Sequence, residues 1–418
     1  MSYSPPSSAK PFTLNVPEQD LSEWRQLLHL SKLGPITYEN QQTEQNFGVT
    51  QKWLAGAKDY WLNTYDWRAQ EKHINSFDNF QMQIDGIDLH FVGHFSEKKD
   101  AVPIVFMHGW PGSFIEFLPM LSLIRDKWSK KDLPYHIIVP SLPGYTLSAG
   151  TQPVDKNWTM EDSAEIIHKL MSNLGFEKYL AQGGDVGSFE ARLLAQDKDG
   201  CVGIHRMLTY PWQFCSLVQL TIAVNMMSVK DQPDPSTLSA FEKNALDRAL
   251  KWVETGRAYG LEHSSRPSTI GHVLSSNPLA LLAWYFPPSH LTPNIPNNTN
   301  PPRRIGEKFL EWTDEDPSLD TILTNVSLYW FTGGFPRSIY PYRQLFGTSR
   351  AHFEYISKPT GFSFFPYELF PGIKSVLEKN CNLVFYRQHD QGGHFAALER
   401  PAELWADVQE FADKAWKV

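Results

Sequence analysis

Cysteine is scarce in this sequence: Cys201, Cys215 and Cys381 are the three among 418 residues. None are spaced Cys-x-x-Cys, so neither a disulfide framework nor a cysteine-ligated zinc site is expected, and a reducing compartment is the simplest setting. Basic blocks are missing too. Lysine and arginine number 38 against 46 acidic residues, and the net charge of −8 is spread along the chain, which argues against nucleic acid or an anionic membrane as a partner. No stretch approaches the roughly 18 apolar residues that a membrane-spanning helix needs. Met1-Ser2-Tyr3-Ser4-Pro5-Pro6-Ser7-Ser8 has no apolar run of a secretion signal. The expectation is a soluble, cytoplasmic protein without a membrane anchor. Asn-x-Ser/Thr matches at Asn157, Asn297 and Asn325 carry little weight in that setting. Aromatic residues, by contrast, make up 13% of the chain and include 14 tryptophans, so a globular core with aromatic pocket walls is expected, and a small neutral substrate fits the charge.

Taken in order, the chain divides into four parts. Residues 1–76 read as a helical arm, with Leu21, Trp24, Leu27 and Leu28, then Trp53, Leu54, Tyr60 and Trp61, at helical spacing. Two alternating strands about Asp85-Gly86 predict a hairpin, so the sheet is expected to begin near residue 77. Ala101–Met107, His136–Pro140, Lys178–Ala181 and Val202–Thr209 read as buried strands between helical segments, a pattern that predicts a mostly parallel, doubly wound α/β sheet over 77–212. Between 213 and 318 that alternation stops, and the prolines of Phe286-Pro287-Pro288 and of Thr292 to Pro302 exclude a central strand, as in an inserted helical cap. The core resumes over 319–418, with a strand at Asn382–Tyr386 and a closing helix from Pro401 to Trp416.

Gln182-Gly183-Gly184-Asp185-Val186-Gly187-Ser188 stands where a strand meets a helix. Glycines at that junction permit a turn too tight for bulkier residues, which thrusts one side chain over the sheet edge. That residue is Asp185. Esterases and lipases carry serine in the corresponding elbow; an aspartate can instead displace a leaving group from saturated carbon, forming an ester on the enzyme. Clearing the ester calls for a base and an oxyanion hole. His394, behind Gly392-Gly393 after the last strand, lies where the base belongs in the order elbow, acid, histidine. Glu368 fits the acid by location; Glu354, Glu378 and Asp390 are the alternatives. His108-Gly109-Trp110-Pro111-Gly112-Ser113, after the first buried strand, can turn backbone N–H groups into a cleft. Trp110 and Val186 are the expected oxyanion donors, and His108 and Trp110 are expected beside the substrate.

His108–Ser113, Gly184-Asp185-Val186-Gly187 and Gly392-Gly393-His394-Phe395, in that order, resemble the epoxide hydrolases, specifically the microsomal-type branch and its soluble fungal members. Trp53–Trp67 resembles the N-terminal meander of that branch, and Tyr259–Trp284, with Arg266-Pro267-Ser268-Thr269, its cap. The resemblance implies an α/β-hydrolase fold, an epoxide substrate and water, and no metal or other cofactor; a homodimer is compatible with it. It also assigns Tyr259 and Tyr342 as the pair that holds the epoxide oxygen, with Tyr340 and Tyr329 as rivals for the second place. Soluble fungal relatives often carry Asp where Glu368 stands, whereas the microsomal enzymes carry Glu. A dehalogenase using the same elbow aspartate, or a non-catalytic receptor on this fold, is the competing reading.

Overall fold

Nine strands, described in a computed structural model that covers residues 2–42, 47–208, 236–285, 312–347 and 354–417, form one sheet. They are Lys10–Pro11 (β1), Asn79–Ile84 (β2), Ile87–His94 (β3), Val102–Met107 (β4), Tyr135–Pro140 (β5), Tyr179–Gly183 (β6), Cys201–Arg206 (β7), Ile356–Phe364 (β8) and Cys381–Gln388 (β9). Their order is β1-β2-β3-β5-β4-β6-β7-β8-β9. From β5 onward every pairing is parallel, while β1, β2 and β3 join antiparallel. A mostly parallel sheet wound with helices was expected, and the structure bears it out.

The apolar run in β4 has the cause inferred for it. Ile104, Val105, Phe106 and Met107 are all buried, because β4 lies between β5 and β6 with both faces covered. Helix Leu118–Lys127 packs with the closing helix Pro401–Ala415, and helix Met160–Asn173 packs with Asp185–Asp197. The hairpin turn is Asp85-Gly86, with φ of 51° and 84° at the two residues, the left-handed pair that a two-residue connection requires. Thr159 and Asp162 close a reciprocal cap on the helix that starts at Met160.

The sheet differs from the expectation in two places. The sheet does not begin near residue 77, because Lys10 and Pro11 of the arm pair with Gln81 and Phe80 as a two-residue edge strand. So short a strand has no periodicity to read, and Lys and Pro are residues that blunt a sheet edge. β8 also escaped the reading: Pro359 and Gly361 sit inside it, both poor strand signals, and Pro359 stands beside an irregularity in the register with β9. Ahead of β8 lie three helices, Leu319–Thr332, Phe335–Ser338 and Pro341–Leu345, and the sheet resumes at Ile356.

Within the expected cap, the described residues 240–285 form four helices, Ala240–Thr255, Ala258–Ser265, Pro267–Ser275 and Pro278–Tyr285. Cys215, Thr209 and the proline-rich stretches from Phe286 to Pro302 lie outside the described residues. The arm folds against helix Leu319–Thr332. Trp24 and Trp67 meet Phe331 with ring centroids 5.9 and 4.9 Å apart, Tyr60 donates to Asp320 Oδ1 at 3.0 Å, and the Tyr65 hydroxyl lies 3.1 Å from Thr324 Oγ1. Each large apolar side chain buried in this seam contributes about 1.5–3 kcal/mol, which makes the arm a structural part of what it covers. The Asn325 sequon lies inside that helix with Asn325 2% exposed, which closes it to glycosylation. Among the described residues no helix is long and apolar enough to cross a membrane.

Candidate active site

Asp185 opens its helix rather than preceding it, with a left-handed φ of 43°. A non-glycine residue there costs roughly 1–3 kcal/mol and persists only where its surroundings fix it. The flanking glycines do so. A Cβ on Gly183 would collide with the Gly187 carbonyl, and one on Gly187 with the carbonyls of Met107 and His108. In that space Gly187 N–H donates to His108 O at 3.0 Å and Gly184 N–H to Met107 O at 3.3 Å, which pins the elbow to the end of β4. A Cβ on Gly109 would in turn strike the Asp185 carboxyl.

So placed, the carboxylate has two different oxygens. Oδ1 accepts the Trp110 N–H at 2.8 Å, and Oδ2 lies 3.3 Å from His394 Nε2. The other imidazole nitrogen, Nδ1, is 2.6 Å from Glu368 Oε1, which also accepts the Leu369 N–H at 2.6 Å. The His394 and Glu368 side chains are each 1% exposed, and that of Asp185 is 19% exposed. Burial alone would hold the His394 proton affinity down, but Glu368 and Asp185 outweigh it and raise the imidazole to about 10. Among the candidates for the acid, Glu368 is therefore the one in contact. The backbone N–H of His394 donates to Trp312 O at 2.7 Å, and the Trp312 ring stands edge-on to the imidazole at 5.0 Å.

The rings of Tyr259 and Tyr342 lie 5.7 Å apart and both pack on Trp110, the residue whose amide holds Asp185, at 5.3 and 5.7 Å. Burial first, then Tyr259 and Asp185, push the Tyr342 phenol well above its ordinary range, so it keeps its proton and can donate. The rival tyrosines are committed elsewhere. Tyr329 donates to Gly112 O at 2.8 Å and Tyr340 to Glu190 Oε1 at 3.3 Å, both fully inside the protein.

His108 has both ring nitrogens engaged within the protein. It is fully buried, its Nε2 accepts the Leu142 N–H at 3.1 Å, and its Nδ1 donates to Gly109 O at 3.1 Å. Burial lowers it to about 4, so it serves as a neutral brace for the turn. Val186 is buried in the first turn of the elbow helix, where helix geometry leaves N–H groups without an intrahelical acceptor. The reading of the sequence missed His263 and Trp312. His263 accepts the Trp284 indole N–H at 2.9 Å and lies 4.7 Å from Tyr342 and 5.5 Å from Tyr259 by ring centroids. Its i, i+4 spacing from Tyr259 was a usable signal; nothing local distinguishes Trp312. Among the described residues no group of His, Cys, Asp and Glu gathers as a metal site requires.

Comparison with known proteins places the chain in a family. Residues 9–117 match the family model described as the epoxide hydrolase N terminus, and residues 102–211 match the alpha/beta hydrolase fold. A Dothistroma septosporum protein provisionally named an epoxide hydrolase is 38% identical over 97% of this chain and 90% of its own length. The solved structure of Aspergillus niger epoxide hydrolase is 43% identical, with all of both chains covered and a TM-score of 0.86. In fold, the chain is also like the juvenile hormone epoxide hydrolase of Bombyx mori, which is 23% identical with a TM-score of 0.78 over 98% of this chain and 96% of that one.

One buried carboxyl in the elbow helix yields a prediction. Burial raises Glu190 from 4.5 to about 8, against the lowering effect of Tyr340 and Ser163. The folded state thus holds a proton that the unfolded chain releases, and this contribution to stability is complete below 4.5 and lost as pH rises through about 8. In urea titrations at several pH values, Glu190→Gln should gain on wild type steadily across that window and hold a constant lead above it. A difference independent of pH would contradict the assignment.

Proposed function

Because this chain belongs to the epoxide hydrolase family and carries its α/β-hydrolase fold, we propose that it hydrolyses an epoxide to a vicinal diol through a covalent ester on Asp185. The observation that carries the reading is the division of labour at one carboxylate: Oδ1 is held by the Trp110 amide, Oδ2 faces His394, and the charge of Asp185 reaches the Tyr342 phenol, which packs with Tyr259 on Trp110. Oδ2 attacks an oxirane carbon from the side away from the ring oxygen. The breaking C–O bond leaves that oxygen as an alkoxide, which takes a proton from Tyr259 or Tyr342, and the imidazolium of His394 restores the phenol. Protons balance at this stage, since the aspartate has lost its charge and the imidazole its proton.

The second half follows from the first. Alkylation removes one of the two anions that hold the His394 proton, so the imidazole becomes a base when a base is needed. It takes a proton from water as the water oxygen bonds to the Asp185 carboxyl carbon. Charge then gathers on Oδ1, where the Trp110 N–H, with the Val186 amide, stabilises it; one such donor is typically worth roughly 10² to 10³ in rate. Collapse breaks the bond between the carboxyl carbon and the diol oxygen, which takes the proton from His394 as it leaves. The new carboxylic acid of Asp185 then gives its own proton to His394, oriented by Glu368, restoring the starting pair. Displacement of a halide by the same aspartate would call for donors suited to halide, whereas two phenols suit an oxygen that leaves as alkoxide.

Two sets of variants test the halves separately. Either Tyr259→Phe or Tyr342→Phe should slow ring opening by about 10²-fold and leave a residue of activity, with the double variant inactive, because one donor partly covers for the other. A fully active Tyr342→Phe beside a dead Tyr340→Phe would overturn the assignment of the pair. Replacing His394 with Gln should leave ring opening possible and ester hydrolysis blocked. That protein should consume one equivalent of epoxide and stall, with the adduct on the Asp185 peptide by mass spectrometry; continued turnover without an adduct would sink the two-step route.

A further inference from the structure

We propose that Asn325 and Tyr329, on helix Leu319–Thr332, are positioning residues that aim the Trp110 amide at Asp185, and that the N-terminal arm acts on the reaction through them. The proposal deepens the covalent route above and rests on it. Three successive residues of the turn after β4 are tied to this helix. Asn325 Nδ2 donates to Pro111 O at 2.5 Å, Tyr329 Oη donates to Gly112 O at 2.8 Å, and Ser113 Oγ donates to Asn325 Oδ1 at 2.6 Å. Asn325 is 2% exposed, and Tyr329 and Ser113 are fully buried.

Asn325 and Tyr329 are four residues apart and so share one face of the helix. A buried asparagine that spends both ends of its amide on one turn is a costly way to fill space, since apolar side chains of similar size would exclude water as well. What the polar pair adds is position. Trp110 directly precedes the clamped carbonyls, and its N–H must meet Asp185 Oδ1 at the 2.8 Å observed. The helix is itself fixed from the other side, where Tyr60 binds Asp320, Tyr65 meets Thr324, and Trp24 and Trp67 pack on Phe331. A chain of contacts therefore runs from the arm, through this helix, to the amide.

The two half-reactions should respond differently. During alkylation the charge on the Asp185 carboxylate disappears, so its bond to the Trp110 amide weakens toward the transition state and a misplaced amide costs no rate. During hydrolysis charge accumulates on Oδ1, and the same misplacement is felt in full. Clamp variants should accumulate the alkyl-enzyme, whereas a merely structural role would lower both steps together or only the melting temperature.

Rapid mixing of wild type, Tyr329→Phe and Asn325→Leu with styrene oxide, quenched and read for adduct on the Asp185 peptide and for diol, resolves the steps. Ester hydrolysis should fall about 10-fold in Tyr329→Phe and about 10²-fold in Asn325→Leu, with alkylation within about threefold of wild type. Equal effects on both steps, or none, would overturn the clamp. Tyr329→Phe is near-isosteric and decides the question alone if Asn325→Leu does not fold. Absence of any adduct in His394→Gln run beside them, where ester hydrolysis is blocked, would instead overturn the covalent route, and the clamp with it.

Discussion

Two stretches of backbone meet here with nothing between them, and the site depends on that approach. The elbow at Gly183–Gly187 lies directly on the carbonyls of Met107 and His108, and Gly109 lies directly on the Asp185 carboxyl. A side chain at Gly187 would push the elbow from the end of β4, and one at Gly109 would displace the Asp185 carboxyl, either of which carries Oδ1 away from the Trp110 amide. The left-handed backbone at Asp185, costing roughly 1–3 kcal/mol, is held by hydrogen bonds from Gly184 and Gly187 to the neighbouring strand end. Rigidity of the turn on the far side has a separate source in helix Leu319–Thr332 and the arm behind it.

Electrostatics adds a second constraint. Burying an imidazole between two carboxylates is tolerable only while it is charged and its partners are close, and Glu368 at 2.6 Å and Asp185 at 3.3 Å meet that condition. The contacts are unequal, and the inequality has a use in the proposed route. Glu368 keeps its charge throughout and keeps the ring oriented; Asp185 loses its charge on alkylation and thereby lowers the affinity of His394 for its proton. The same fold buries Glu190 as a carboxyl raised to about 8, so its carboxyls are tuned over a wide range by surroundings alone.

Much of this was legible in the sequence where local rules govern. The unbroken apolar run of β4, the Asp85-Gly86 hairpin and the small-x-small elbow each require one conformation, and each has it. His394 and Glu368 could be located by chain order, and the structure brings His394 to Asp185 and Glu368 to His394. Signals failed where tertiary contact decides. β1 is two residues long, β8 contains Pro359 and Gly361, and His108 looked available because the Leu142 amide that occupies its ring is distant in sequence. Asn325 matched a glycosylation pattern, although its amide is spent on Pro111 and Ser113. Tyr329 and Tyr340 could not be told from Tyr342 by spacing; only their bonds to Gly112 and Glu190 separate them.

The proposed route turns on whether an oxygen of Asp185 ends up in the product. A single turnover in heavy-oxygen water, with enzyme in excess over epoxide, measures this directly. On the proposed route the first diol carries no heavy oxygen, because its new hydroxyl comes from the Asp185 carboxyl, and the label appears instead in the Asp185 peptide and in later turnovers. A fully labelled diol from the first turnover would mean that water attacks the epoxide itself, and it would contradict the role given to Asp185.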